Sequence, residues 1–398
     1  MTQESHKAAH GPGSRQPKPE SQIDVQYAEA NLARDVYCIL GVPVDAIQMA
    51  DVVRLIEDAV RSSTLLTLST PNLNFLVSSL HDREFRESLL ESDLCPADGM
   101  PIVWISRLLG LPIRNRIAGS DIFDALIRRS PSAQPIGILF FGATDASARG
   151  AAERINSISG SLHCVGWISP HFGSVEELST DDILGKISKS NADFFVAALG
   201  AKKGLIWLSR NRNLIPMRVQ AHLGATINFQ AGVIKRAPLV LRKIGLEWLW
   251  RILQEPYLWK RYCWDGFIFL RLTAFKVLPL AIANWLSRGM KAKDGNLEFV
   301  NVINGERLIL RMSGAATSVN IQRAIDCFMR ATKAPRTVQL DFAKVSRVDA
   351  RFLGLLLMLR KVLRSSGRSL ELTGLSRPIK RSFNLHGLAY LLTDETIR

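Results

Sequence analysis

The sequence contains no Asp-x-Asp triplet, no Cys-x-x-Cys pair and no histidine cluster. The missing acidic triplet argues against the common way of holding a divalent metal on a nucleotide diphosphate. Any charge that develops on such a group must then be met by Arg, Lys or helix dipoles. The cysteines Cys38, Cys95, Cys164, Cys263 and Cys327 are scattered and odd in number. That pattern fits a reducing compartment, with thiols packed as small apolar groups. Neither a metal site nor a cofactor is assigned. The first residues lack the apolar stretch of a secretory signal. Residues 1 to about 25, rich in His, Pro, Gly, Ser, Gln and Lys, read as a disordered tail. Zinc-finger spacing and aromatic RNA-binding signatures are absent too, and so are internal repeats.

What is present is a chain of 398 residues, 47% hydrophobic, with a formal net charge of +15. The length suits two or three domains of roughly ordinary size, and the apolar content is enough to build their cores. The basic balance favours anionic partners. Without nucleic-acid signatures, no nucleic acid is expected, and anionic lipid or a phosphorylated substrate is favoured. The expected boundaries are a tail at 1–30, an α/β domain at 31–227, a basic Trp-rich segment at 228–293 and a further α/β domain at 296–398.

In the first domain, Leu65–Ser69, Ile136–Phe141 and Phe194–Leu199 are short apolar runs with helical patterns between them. Strands buried on both faces read this way, which predicts a mostly parallel, Rossmann-like sheet flanked by helices. Ligands in such folds sit at the carboxyl ends of strands. Thr70-Pro71-Asn72 follows the first strand, where hydroxyl and amide groups suit a sugar or ribose; helix capping is the plain alternative. Asp98-Gly99 precedes the helical stretch Met100–Leu109, so Asp98 is either a general base or an N-cap. Arg116 either faces a diphosphate or pairs with a carboxylate, and Asp121 is a candidate cap. Gly142 and Gly200 follow strands directly and permit a close phosphate approach, although turns need glycine anyway.

The basic segment carries Lys235-Arg236-Ala237-Pro238, Gly245-Leu246-Glu247-Trp248-Leu249-Trp250-Arg251 and Glu255-Pro256. Arg suits phosphate oxygens, and Trp suits the membrane–water boundary. Trp264, Ile268, Leu272, Phe275, Leu278 and Ile282 recur at helical steps and predict one apolar stripe. Arg271, Lys276 and Pro279 interrupt it, which favours a helix lying in the interface over one that spans. Lys260, Arg261, Arg288, Lys291 and Lys293 suit an anionic membrane surface.

Taken together, Thr70-Pro71-Asn72, Ala97-Asp98-Gly99, Arg116–Asp121 and the stretch from Arg236 to Arg261-Tyr262 resemble the WecG/TagA/CpsF glycosyltransferase family. The resemblance implies inverting transfer from a UDP-sugar to a polyprenyl-diphosphate-linked sugar at the cytoplasmic membrane face, in polysaccharide synthesis. It implies Asp98 as the base, Thr70 and Asn72 on the substrate sugar, and Arg116, Arg251 and Arg261 on the diphosphate, under a basic segment that folds over the site. Gly142, Gly200 and Arg236 complete the expected substrate-binding set. The family's Pro-Lys-Gln-Glu is replaced by Lys202-Lys203-Gly204-Leu205, and its usual Asp by Asn228. These changes bear on donor specificity and keep a second reading open: a non-catalytic scaffold that binds nucleotide sugar.

From about Leu297 the chain resembles a STAS domain, on Val338–Phe342, Val345–Leu356 and Leu370–Gly374. Strands are predicted near Arg307–Met312, Thr337–Phe342 and Ser369–Thr373, and helices near Val319–Ala331 and Arg351–Ser365. Where many relatives carry a phosphorylatable hydroxyl after the motif aspartate, this chain has Ala350, so that phosphoswitch is absent. The domain is expected to be a docking or regulatory module for a protein partner, and its removal should spare basal chemistry if its role is only regulatory.

Overall fold

The computed structural model describes residues 25–129, 135–158, 160–170, 172–286, 295–333 and 337–393. The expected tail up to residue 24, Arg288, and the linker residues 291–294 lie outside them. Residues Val25–Ala33 form a helix, so regular structure begins inside the stretch assigned to the tail.

Strands β1 (Val36–Ile39) and β2 (Val42–Asp45) form an antiparallel hairpin. Strands β3 (Leu66–Ser69), β4 (Ile136–Gly142), β5 (Leu162–Ile168), β6 (Phe194–Ala198) and β7 (Val219–His222) form a wholly parallel sheet in the order β3-β7-β6-β4-β5. The continuous apolar runs follow from two buried faces. Ile138, Phe140, Phe194 and Val196 face a core with Val52, Ile56 and Phe123. Their neighbours Leu139, Phe141, Phe195 and Ala197 face Trp207 and Leu208 on the other side. Side chains alternate across a strand, so both sets must be apolar. Truncating Phe140 to Ala would cost about 3–5 kcal/mol.

The basic segment is helical at Thr226–Gln230, Leu239–Ile244, Glu247–Gln254 and Trp259–Leu286. The single stripe expected from Trp264 to Ile282 is corrected here. Ile268 and Leu272 turn inward and are joined by Val277 and Leu280, while Trp264, Phe275, Leu278 and Ile282 are exposed. A π-helical turn at Thr273–Val277 inserts extra rotation and moves the buried face off the simple helical step. The helical run Pro256–Leu286 is long and apolar enough to cross a membrane.

The C-terminal sheet holds β8 (Glu298–Asn304), β9 (Arg307–Ala316), β10 (Thr337–Val348) and β11 (Leu370–Thr373) in the order β11-β10-β9-β8. Its β9, β10 and β11 are parallel, with β8 an antiparallel edge. The helix Ala350–Ser365 has 13 of its 16 residues buried. A helix buried all round needs cover on two sides, and this one has it. One side rests on its own sheet. The other meets β1, where a side chain added at Gly354 would lie 2.1 Å from the Val36 carbonyl oxygen. Leu32, Val36, Cys38 and Leu90 share one core with Leu353, Leu357 and Phe383. Ion pairs stud the junction: Arg360 to Glu87 at 2.7 Å, Lys361 to Asp93 at 2.7 Å and Arg351 to Asp35 at 2.7 Å. The two domains therefore share one continuous core across the junction.

Candidate active site

At the carboxyl edge of the parallel sheet, β3 ends in Ser69 and the chain turns through Thr70, Pro71 and Asn72. Thr70 is buried. Asn72 caps the helix Leu73–His81, its side-chain oxygen accepting from the Phe75 amide at 3.2 Å, so the capping role foreseen as an alternative is occupied. A strap of chain, residues 92–98, runs beside β3. The Ser69 amide donates to the Leu94 carbonyl at 3.0 Å, and the Asp98 amide donates to the Pro71 carbonyl at 2.8 Å. These two bonds bring Asp98 against Thr70-Pro71-Asn72.

Asp98 is not an N-cap. The cap of Met100–Leu109 is Gly99, at φ +91°, with no side-chain cap bond. The glycine adopts the positive-φ backbone that suits it. That carboxyl makes no hydrogen bond or ion pair with a described side chain. Burial raises its pKa to about 7; Arg116 opposes the rise, Glu247 and Asp121 add to it, and Arg251 opposes it. A carboxylate that titrates near neutrality is suited to proton abstraction.

Arg116 and Arg251 act on this carboxyl from within a web of counter-charges. Arg116 pairs with Asp121 at 2.7 Å and with Glu247 of the basic segment. Arg236 pairs with Asp121 at 2.8 Å and with Asp124. Arg251 pairs with Glu255 at 2.7 Å. Asp121 caps nothing, since Ala118 holds the cap position of its helix; it serves the arginines instead. The basic segment folds over the site as expected: a side chain added at Gly245 would lie 2.8 Å from Trp104 and 2.9 Å from Met100. Arg261 is the outlier, exposed on the long helix with its guanidinium 5.0 Å from the Tyr262 ring.

The two glycines differ. Gly142, at φ +95°, is required by its own chain, because a Cβ there would lie 2.6 Å from the Ala198 carbonyl oxygen. Gly200, at φ +81°, has open space where a side chain would be and caps the helix Ala201–Asn211.

Sequence reasoning passed over His222 and Glu247. His222, at the carboxyl end of β7, is paired in register with Ser69 and Ala197. Burial lowers its pKa to about 4 against a hydrogen bond with the Gly200 backbone, and its Nε2 has no hydrogen-bond partner among the described residues. A lone histidine in a polar-looking strand gave no signal. A side chain at Gly204 would lie 2.2 Å from the His222 ring, so the glycine in place of the family's Gln-Glu makes room for this imidazole. Glu247 was visible only as a charge among tryptophans.

Asp98 lines neither of two cavities found elsewhere. One, of about 520 Å³, lies between Leu80-His81 and Ile268–Lys276. The other, of about 200 Å³, lies at the domain junction around Tyr37, Arg347, Arg351 and His386. Asp98 itself is partly exposed, with Glu247 and Arg251 of the basic segment close enough to act on its charge.

Comparison with known proteins agrees with this geometry. Residues 37–281 match the family described as "Glycosyl transferase WecG/TagA/CpsF family", and residues 299–393 match the family described as "Mlab, STAS domain". Similar curated proteins carry the name N-acetylglucosaminyldiphosphoundecaprenol N-acetyl-beta-D-mannosaminyltransferase. That of Bacillus subtilis is 28% identical over 194 residues, covering 49% of this chain and 73% of the relative. That of Bacillus spizizenii is 26% identical over 196 residues, with the same coverage of each. A Staphylococcus aureus relative is 25% identical over 229 residues, 56% of this chain and 85% of its own length. With the match spanning the sheet, the strap, Asp98 and the basic segment together, the chain belongs to the WecG/TagA/CpsF family of glycosyltransferases and carries a C-terminal STAS domain.

Proposed function

We propose that this glycosyltransferase moves a sugar, with inversion, from a UDP-sugar to the hydroxyl of a polyprenyl-diphosphate-linked sugar. The names of its relatives favour an N-acetylmannosamine-type donor and an N-acetylglucosaminyl-diphosphoundecaprenol acceptor. The observation that carries the reading is the unpartnered Asp98 carboxyl, titrating at about 7 beside Thr70 and among arginines. As a carboxylate, Asp98 takes the proton from the acceptor hydroxyl. The oxygen then attacks the anomeric carbon from the face opposite UDP, and UDP leaves with the electron pair of the broken C–O bond. Arg116, Arg236 and Arg251 are candidates to meet the charge on the diphosphate once their carboxylate partners yield, and exposed Arg261 is a further candidate. Thr70 and the remaining amide of Asn72 are candidates to orient the sugar, and the open end at Gly200 is a candidate seat for a phosphate. Fixed cations in a covered site stabilise such a leaving group far better than water does.

The test is turnover of the purified full-length protein with UDP-sugars and a lipid-diphosphate sugar, wild type against Asp98→Asn, with the product mass identifying the donor. The expected loss is about 10²- to 10⁴-fold. Equal turnover removes Asp98 as base, and no turnover with any donor favours the scaffold.

The enzyme works, in this reading, at the inner face of the cell membrane. Trp264, Phe267, Leu270, Phe275, Ile282 and Trp285 are each more than half exposed along one helical run, with Lys260 and Arg261 at its start. Clusters of this kind bind the lipid interface through apolar burial and attraction to anionic headgroups. The full chain should sediment with anionic vesicles, and Phe267→Glu with Trp264→Glu should abolish this without loss of fold by circular dichroism.

A further inference from the structure

Lys361 lies in the helix Ala350–Ser365, among leucines, with a side chain only 2% exposed. A buried ammonium is costly, and an apolar residue of similar size would pack there at least as favourably. What Lys361 does is reach across the junction. Its Nζ donates to the Asp93 carboxylate at 2.7 Å and to the Ser92 carbonyl at 2.9 Å. Both acceptors begin the strap that ends in Asp98.

From there the bonds run straight to the site. The other Asp93 oxygen accepts from the Thr67 amide at 3.0 Å and from Arg212 at 3.0 Å. The Ser92 hydroxyl meets the Ser69 hydroxyl at 2.7 Å. The Leu94 amide donates to the Thr67 carbonyl at 3.1 Å. Arg34 adds a bond to the Ser92 carbonyl at 3.1 Å and holds Asp45, whose carboxylate accepts from the Cys95 amide at 2.6 Å. Thr67 is three residues before Thr70, and Asp93 five before Asp98.

We propose that the C-terminal domain is a positioning element of the transfer site: Lys361 clamps the 92–98 strap to β3 and thereby sets the distance between Asp98 and Thr70. The domain's partner is then the transferase domain of its own chain. Lys361 touches no substrate and acts only through the strap. The inference rests on the transferase reading, but the clamp has its own observable.

The closing experiment compares wild type, Lys361→Met and Arg360→Met in the full chain. Arg360→Met is the control: it removes a buried cation at the same junction, one that pairs with Glu87, whose carboxylate is bonded to arginines of the helix and not to the strap. Amide hydrogen exchange should quicken at Thr67, Ser69, Leu94 and Asp98 in Lys361→Met alone. kcat should fall about 10- to 100-fold in that variant, as expected for an angstrom-scale misplacement, while KM for the donor stays within about twofold. Should Lys361→Met not fold, Lys361→Gln takes its place, since it removes the ammonium and leaves the Asp93–Arg212 pair in place; the same pattern is expected. Unchanged exchange overturns the clamp. So does an equal kcat loss in Arg360→Met, which would mark a purely structural junction. A wild type inactive with every donor overturns the transferase reading instead, and the exchange data still decide the clamp.

Discussion

Each domain has an aspartate just before a helix at the carboxyl edge of its sheet, and the two are used in opposite ways. Asp349 caps Ala350–Ser365, accepting from the Phe352 amide at 2.9 Å and from the Ser318 amide at 2.7 Å. Asp98 stands one residue too early to cap Met100–Leu109, with Gly99 between. The capping aspartate is spent on backbone amides and has nothing left for chemistry. The other keeps its lone pairs, and burial without a hydrogen-bond donor lifts its pKa toward neutrality. One inserted glycine separates a structural carboxylate from a reactive one.

The largest test of this contrast is the pH profile of transfer. kcat/KM should climb with unit slope up to about pH 7, where Asp98 loses its proton, and level off above. Initial rates across the range check it, and the limb should vanish from the residual activity of Asp98→Asn. A smaller effect is expected at the other aspartate. Asp349→Ala removes a cap and should cost about 1–2 kcal/mol in denaturant unfolding. The last effect is a reversal of sign. The folded pKa of Asp98 lies above its ordinary value of 3.8, so the folded state holds a proton that the unfolded chain has released. Its stabilising contribution is complete below about pH 4 and is lost as pH rises through about 7. Asp98→Asn should therefore match the wild type in acid and melt a few degrees higher above pH 7, whereas Asp349→Ala melts lower throughout.

Much of the fold was legible because its central strands are apolar on both faces; β4 and β6 could hardly be anything else. β7 escaped notice because Gln220 and His222 look like loop residues. The structure buries Gln220 by giving its amide the carbonyls of Arg212, Ile215 and Met217. The helix Arg351–Ser365 was legible as a helix, but nothing in Leu359-Arg360-Lys361-Val362 says that its charges face another domain. In the site, Thr70, Asn72, Asp98 and Arg116 were legible as motif fragments, and the strap brings them together. Gly142 is ambiguous in sequence, because close packing against Ala198 and close approach to phosphate call for the same residue. The counter-charges were not legible: Glu247 meets Arg116 across 131 positions, a distance no local pattern encodes.

At the junction, Gly354 faces the Val36 carbonyl at what would be 2.1 Å from a Cβ, and Gly41 faces the Gly387 carbonyl oxygen at 2.8 Å. Main chain touches main chain at both points, so neither point has a side chain with which to absorb an error. A single methyl group at Gly354 would act as a wedge along the full length of the joint. Grafting this domain onto another enzyme, or exchanging it for a homologue, would therefore succeed only if both glycine contacts travel with it.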